Sequence, residues 1–153
     1  MATPIREQIL ANVQAQIALI QGAPFESTVR AVQRSGEVIV NVDEYPAVLI
    51  VDRGDVQKKH LRGAYENRMT LELRALVREG GPAKRVEQAE QLSADVSKKL
   101  LVDETRGGLA KKTWLRTEQP HVGEMEDPLG LYFLTVEILY RVERANPYAN
   151  TNI

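Results

Sequence analysis

The residue types that most often carry chemistry are sparse in this chain and badly placed for it. Its two histidines, His60 and His121, are far apart in sequence. A metal site needs ligands at close spacing, so both read as surface residues, His60 in the KKH stretch and His121 in a turn after Pro120. Glu124, Glu126 and Asp127 form an acidic knot. Paired carboxylates do acid/base work when their surroundings drive their pKa values apart, but this trio sits in a Gly- and Pro-flanked stretch that reads as a solvated turn. Ser27, Ser35, Ser93 and Ser97 lack the G-x-S-x-G context of an activated nucleophile. Gly107-Gly108 matches neither the Walker pattern nor the dinucleotide pattern. It follows a helical segment, where glycine supplies a left-handed cap. With no cysteine in the chain, thiolate catalysis, disulfides and Cys-ligated metal are excluded. The sequence therefore predicts no catalytic, cofactor-binding or metal-binding residue, and a chain that is not an enzyme.

What remains are residues suited to contact. Arg53, Lys58, Lys59 and Arg62 make the 52–65 stretch, DRGDVQKKHLRGAY, locally basic. It reads as a long hairpin loop that is either solvated or in contact with an acidic partner surface or passing DNA. Loops of that length are uncommon unless functional or mobile. No aromatic residues interleave with its charges to stack bases. Tyr148 lies in a polar tail, NPYANTNI. An isolated aromatic there is either disordered or docked on a neighbouring chain. Arg68, Arg74 and Arg78 share one strand face, which is either plain surface or a polar subunit interface.

The elements that must position these residues fit one domain. The chain has 153 residues, 43% hydrophobic and 27% charged, which suits a soluble domain with a real core. A formal net charge of −1 lacks the basic excess of a nucleic-acid binder. The start, MATPIREQIL, does not read as a signal peptide, and no apolar run is long enough to span a membrane. A cytoplasmic protein is expected.

Thr3 reads as the N-cap and Pro4 as the first residue of a helix whose stripe is Ile5, Ile9, Val13, Ile17 and Ile20, closed by Gly22 and Pro24. A short strand near Val29–Val32, a Ser35-Gly36 turn and a strand through Val38, Val40 and Val42 follow. Pro46 to Val51 reads as a strand buried on both faces. Asn67 to Arg78 alternates strictly, with Met69, Leu71, Leu73, Ala75 and Val77 inward and a wet opposite face. A second helix after Gly80-Gly81-Pro82 carries Val86, Ala89, Leu92, Val96 and Leu100 on its stripe and closes over Asp103–Gly108. Lys111–His121 is a strand around Trp114, Gly123–Gly130 a turn, and Leu131–Val142 the last strand, with Tyr132 to Val142 alternating inward. The predicted class is α+β: a mostly antiparallel sheet with two main helices on one face. Residues 1–144 form the domain and 145–153 a C-terminal extension.

In this layout the chain resembles the tail terminator (tail completion) proteins of long-tailed bacteriophages. The resemblance is carried by the helix IREQILANVQAQIALI, the segment PAVLIVDRGD and the strand ENRMTLELRALVRE. It continues through AKRVEQAEQLSADVSKKLLVDETRGGLA and the final LYFLTVEILYRVERANPY. It covers nearly the full length and rests on element order, since that family has no catalytic motif. It implies a hexameric ring at the head-proximal end of the virion tail, assembled in the host cytoplasm. The ring would cap the tail tube, end its polymerisation and offer a surface to the head–tail connector. DNA would pass through without sequence-specific binding, with no cofactor and no membrane involved. Self-contact, tube and connector are then the partners of Arg53, Lys58, Lys59, Arg62 and Tyr148. A head-completion or connector protein, a small ligand-binding α+β domain and a nucleic-acid-binding domain are the rival readings.

Overall fold

A computed structural model describes residues 3–34, 44–78, 82–120 and 130–150. The first helix, α1 (Ile5–Ala18), buries Ile5, Ile9, Val13 and Ile17 at the predicted spacing, and Ile20 just beyond its end is buried too. Thr3 is not its N-cap. Pro4 holds that position with φ −56° and ψ 146°, and no side chain caps the helix. A ψ that extended lies outside the helix, so the first intrahelical bond runs from Gln8 N to the Pro4 carbonyl at 3.1 Å. Thr3 instead offers its carbonyl to Gln8 Nε2 at 2.7 Å.

The strands are β1 (Ala31–Arg34), β2 (Ala47–Leu61), β3 (Ala64–Val77), β4 (Lys112–Pro120), β5 (Gly130–Glu143) and β6 (Asn146–Asn150), with α2 (Pro82–Val102) between β3 and β4. The six-stranded sheet has the order β1-β2-β3-β5-β4, and β6 also pairs with β5. The β1–β2 pair is parallel and every other pair antiparallel. Both helices lie on one face, and their apolar stripes pack on Val48 and Ile50 of β2 and on the inward alternation of β3 and β5. This is the predicted α+β arrangement. The expected strand through Val38–Val42, the Ser35-Gly36 turn, and the turn bearing His121, Glu124, Glu126 and Asp127 lie outside the described residues.

The Ala47–Val51 run is buried on both faces, as its unbroken hydrophobicity predicts. Val48 and Ile50 join the main core, while Ala47, Leu49 and Val51 form a smaller cluster with Leu76. Three further expectations fail. The 52–65 stretch is not a loop: β2 continues to Leu61, turns through Arg62 and Gly63, and returns as β3 from Ala64. One glycine permits the turn, with φ +76° at Gly63, and the other permits a β-bulge, with φ +83° at Gly54. Val86 is 52% exposed rather than core. At about 100° per residue Arg85, not Val86, lines up with Ala89, Leu92 and Val96. The tail is not without an element either, since Tyr148 sits on β6.

Gly107-Gly108 does follow α2 with positive φ at both residues, but the end of the helix is capped by a side chain. The guanidinium of Arg106, itself left-handed at φ +51°, donates to the carbonyls of Leu100 and Asp103. The Asp103 carboxylate accepts from Thr105 N at 3.0 Å and from Gly107 N at 2.8 Å.

Candidate interaction face

With both helices on one side, the outward-pointing residues of β3, β4 and β5 form a face that neither α1 nor α2 covers. Strand alternation places Arg68, Thr70, Glu72 and Arg74 of β3 there. The register adds their neighbours: Glu137 pairs with Thr70 on one side and with Trp114 on the other. A bulge between Leu115 and Thr117 makes Arg116 the extra residue of β4, and its guanidinium reaches Glu137 at 3.1 Å.

This face is less wet than its composition suggests. Glu137 is 4% exposed and Thr70 7%. Arg116 lies against Glu137, and Arg68 approaches it at 4.0 Å while lying 5.4 Å from the centre of the Trp114 ring. Glu72 is clasped in the same way, by Arg53 at 2.7 Å and Arg74 at 2.9 Å. Burial pushes the Glu72 carboxyl up, but the hydrogen bonds from Arg53 and Arg74 outweigh it and hold the group below the usual carboxylate range. Arg141 meets Glu66 at 3.3 Å. Five arginines thus stand among three glutamates on one sheet face. Guanidinium groups suit such interfaces because they are planar, multiply donating and weakly hydrated.

The residues singled out from sequence divide between this face and one end of the sheet. Arg53 is drawn onto the face by Glu72. Lys59 is exposed and borders a shallow recess with Glu66, Arg68 and Leu139. Lys58 pairs through its backbone with Asn67, and its side chain lies outside the described residues. Arg62 is exposed in the β2–β3 turn, and Tyr148 is 47% exposed on β6. The turn and the tail converge: Glu143 of β5 pairs with Ala64 on one side and Asn146 on the other, and Arg144 N donates to the Gly63 carbonyl at 3.0 Å. Two segments picked out separately in the sequence are one strand apart.

The glutamate-centred pairs of Arg68 and Arg116 were not visible in the sequence. Alternation marks Arg68 as outward-facing, but only the β3–β5–β4 register brings Glu137 beneath it. Nor is any catalytic constellation formed among the described residues. His60 is exposed and packs edge-on against Tyr65 at 4.8 Å. Ser93 is buried, and its hydroxyl finds no hydrogen-bond partner among the described residues. Among the described residues no group of three or more His, Asp or Glu is placed to hold a metal ion, and no helix is long and apolar enough to cross a membrane.

The class of protein defined by this structure is a two-layer α+β fold with a polar, arginine-rich outer sheet face. No family model matches the chain, and no curated protein matches its sequence. Its fold is shared with a chain of a structure described as "Virion of native gene transfer agent (GTA) particle". The TM-score is 0.51 at 10% identity, covering 91% of this chain and 92% of that one.

Proposed function

We propose that the chain is a structural protein of a tailed virus particle, and that it forms a ring, hexameric in the tail-terminator manner, closing the tail tube. The observation that carries this reading is the fold likeness to a chain of a virion particle, which spans nearly all of both chains. The outer sheet face supports the same reading. Five arginines stand on it, and arginine is enriched where protein surfaces meet, whereas an enzyme needs a concave pocket with converging reactive groups.

In this role the ring would stop addition of tube subunits and present its other side to the head–tail connector. DNA would pass through it without sequence readout. The end of β2 and its turn into β3, with Lys58, Lys59 and Arg62, is the element assigned to the tube. Tyr148 on β6 is assigned to a neighbouring chain.

Native mass spectrometry of the full chain, alone and with purified tail tubes, tests the reading. A six-fold ring that binds tube ends supports it, and tubes grown in its presence should be shorter. A chain that stays monomeric with and without tubes overturns it, and a chain that binds heads but not tubes moves it to head completion. Replacing Lys58, Lys59 and Arg62 together with Glu should leave the ring intact and weaken tube capping. Tyr148→Ala should weaken the ring while the fold persists, a cleaner test than truncation because β6 belongs to the sheet.

A further inference from the structure

The outer sheet face holds more positive than negative charge, while the chain as a whole carries −1. The balancing acidic surface therefore lies elsewhere on the same molecule. Part of it lies beside exposed apolar side chains. At the C-terminal corner of α2, Val102 is 80% exposed and Leu101 37%. Glu104 follows, exposed and with no ion pair among the described residues. A carboxylate just past the end of a helix is also poorly served by the helix dipole.

The corner is rigid. Arg106 ties its carbonyls from inside, Asp103 gathers the backbone of the turn, and Thr113 Oγ1 donates to the Glu104 carbonyl at 2.8 Å. A fixed projection loses little freedom when it docks. Thr113 is fully buried on the helix side of the sheet, opposite Ile138, so the corner belongs to the helix layer. Arg116, by contrast, is 55% exposed and has donors to spare beyond its bond to Glu137. It lies on β4 beside Trp114, and Arg68 covers that ring.

We infer that the α2 corner of one chain docks on the outer sheet face of a second copy, with Leu101 and Val102 against Trp114 and Glu104 facing Arg116. This rests on the ring reading and gives it a contact. The corner belongs to the helix layer and Arg116 to the outer face of β4. Each copy presents a corner to one neighbour and a sheet face to the other. Such a heterologous contact repeats around a rotation and makes a ring when that rotation closes.

The test is a charge exchange between two variants, Glu104→Arg and Arg116→Glu, read by native mass spectrometry. Each alone should weaken assembly by about tenfold or more, because like charges then meet at the contact. Mixing the two should restore assembly, since the arginine introduced in one variant meets the glutamate introduced in the other, and the reciprocal contact stays native. Arg116→Glu sets two glutamates side by side within one chain and could harm folding. Thermal unfolding checks this, and Val102→Ser, at a site with no role in the core, must also weaken assembly. Wild-type rings whose variants assemble unchanged overturn this contact and leave the ring reading standing. Variants that stay folded but are not rescued by mixing overturn it as well. A wild-type chain that never assembles overturns the ring reading and the contact together.

Discussion

The hydroxyl of Tyr140 donates to Oδ2 of Asp55 at 3.0 Å, joining residues 85 apart in sequence. Register shifts flank Asp55 on both sides, so the β2 bulge turns this carboxylate to the helix side, opposite Met69. There it also accepts from Arg6 Nε at 3.3 Å, and Arg6 in turn grips Asp52 with two bonds of 2.6 and 2.7 Å. Burial first, then the nearby Asp55 carboxylate, holds the Tyr140 hydroxyl protonated well above the usual phenol range. The bulge therefore fastens the start of α1 to the centre of the sheet.

Tyr140→Phe should cost about 1 kcal/mol, the net value of one hydrogen bond. Asp55→Ala should cost more, about 2 kcal/mol, because it also strips Arg6 Nε and leaves the proton of a buried hydroxyl without its acceptor. The double variant should fall short of the sum, since the partners share one interaction. Urea midpoints of the four proteins measure this, and strict additivity would show that the bond carries no coupling.

The same cluster sets the acid limit of stability. A hydrogen bond from Arg6 holds Asp52 below the usual carboxylate range, and one from Arg34 does the same for Glu7. A depressed folded-state value stabilises the fold above the unfolded pKa, and that contribution is lost as pH falls through the folded one. Stability should hold steady down to about pH 5 and decline below about pH 4. In Arg6→Gln the decline from Asp52 should be smaller, because its folded and unfolded values then lie closer. Denaturation midpoints from pH 7 to pH 2 compare the two slopes, and parallel curves would remove Arg6 as the cause.

Where burial stamps a period on the chain, the sequence was readable. Ile5 to Ile20 and Met69 to Val77 are such stripes, and both are buried as their spacing requires. The charged half of β2 was not readable, because a strand's backbone bonds need no apolar side chains. Asp52–Leu61 announces only that its surroundings are polar. Glu137 was hidden for another reason: its environment is built from three strands brought together by register. The two glycines of that stretch were visible as breakers, but not which would bend a strand and which would end it.

Arg106 offers a sharp ordering. It is 1% exposed, and burial lowers its pKa from the usual guanidinium value without removing its charge. Arg106→Ala should lose the cap on Leu100 and Asp103 and keep a strained left-handed backbone, costing about 3 kcal/mol. Arg106→Gly loses the same cap but relaxes the φ of +51°, so it should cost about 1 kcal/mol less than alanine. Thermal or urea unfolding ranks the two variants. Glycine proving the worse would mean that the backbone there is unstrained.

At Gly130, space rather than backbone angle requires glycine. A Cβ there would stand 2.4 Å from the Arg85 carbonyl oxygen and 2.7 Å from its carbon, both backbone atoms of α2. Neither can swing aside like a side chain, so Gly130→Ala must push the start of α2 off β5, at about 1–3 kcal/mol. Gly108→Ala should destabilise by about 1 kcal/mol for the opposite reason: it has nothing within 4 Å but sits at φ +86°. Hydrogen exchange separates them. Gly130→Ala should speed exchange in the amides of the first turns of α2, while Gly108→Ala should leave those amides as protected as in the parent chain. Equal protection in both variants would mean that β5 yields instead of the helix, and the displaced amides would then be sought opposite Val77, the partner of Gly130 in β3.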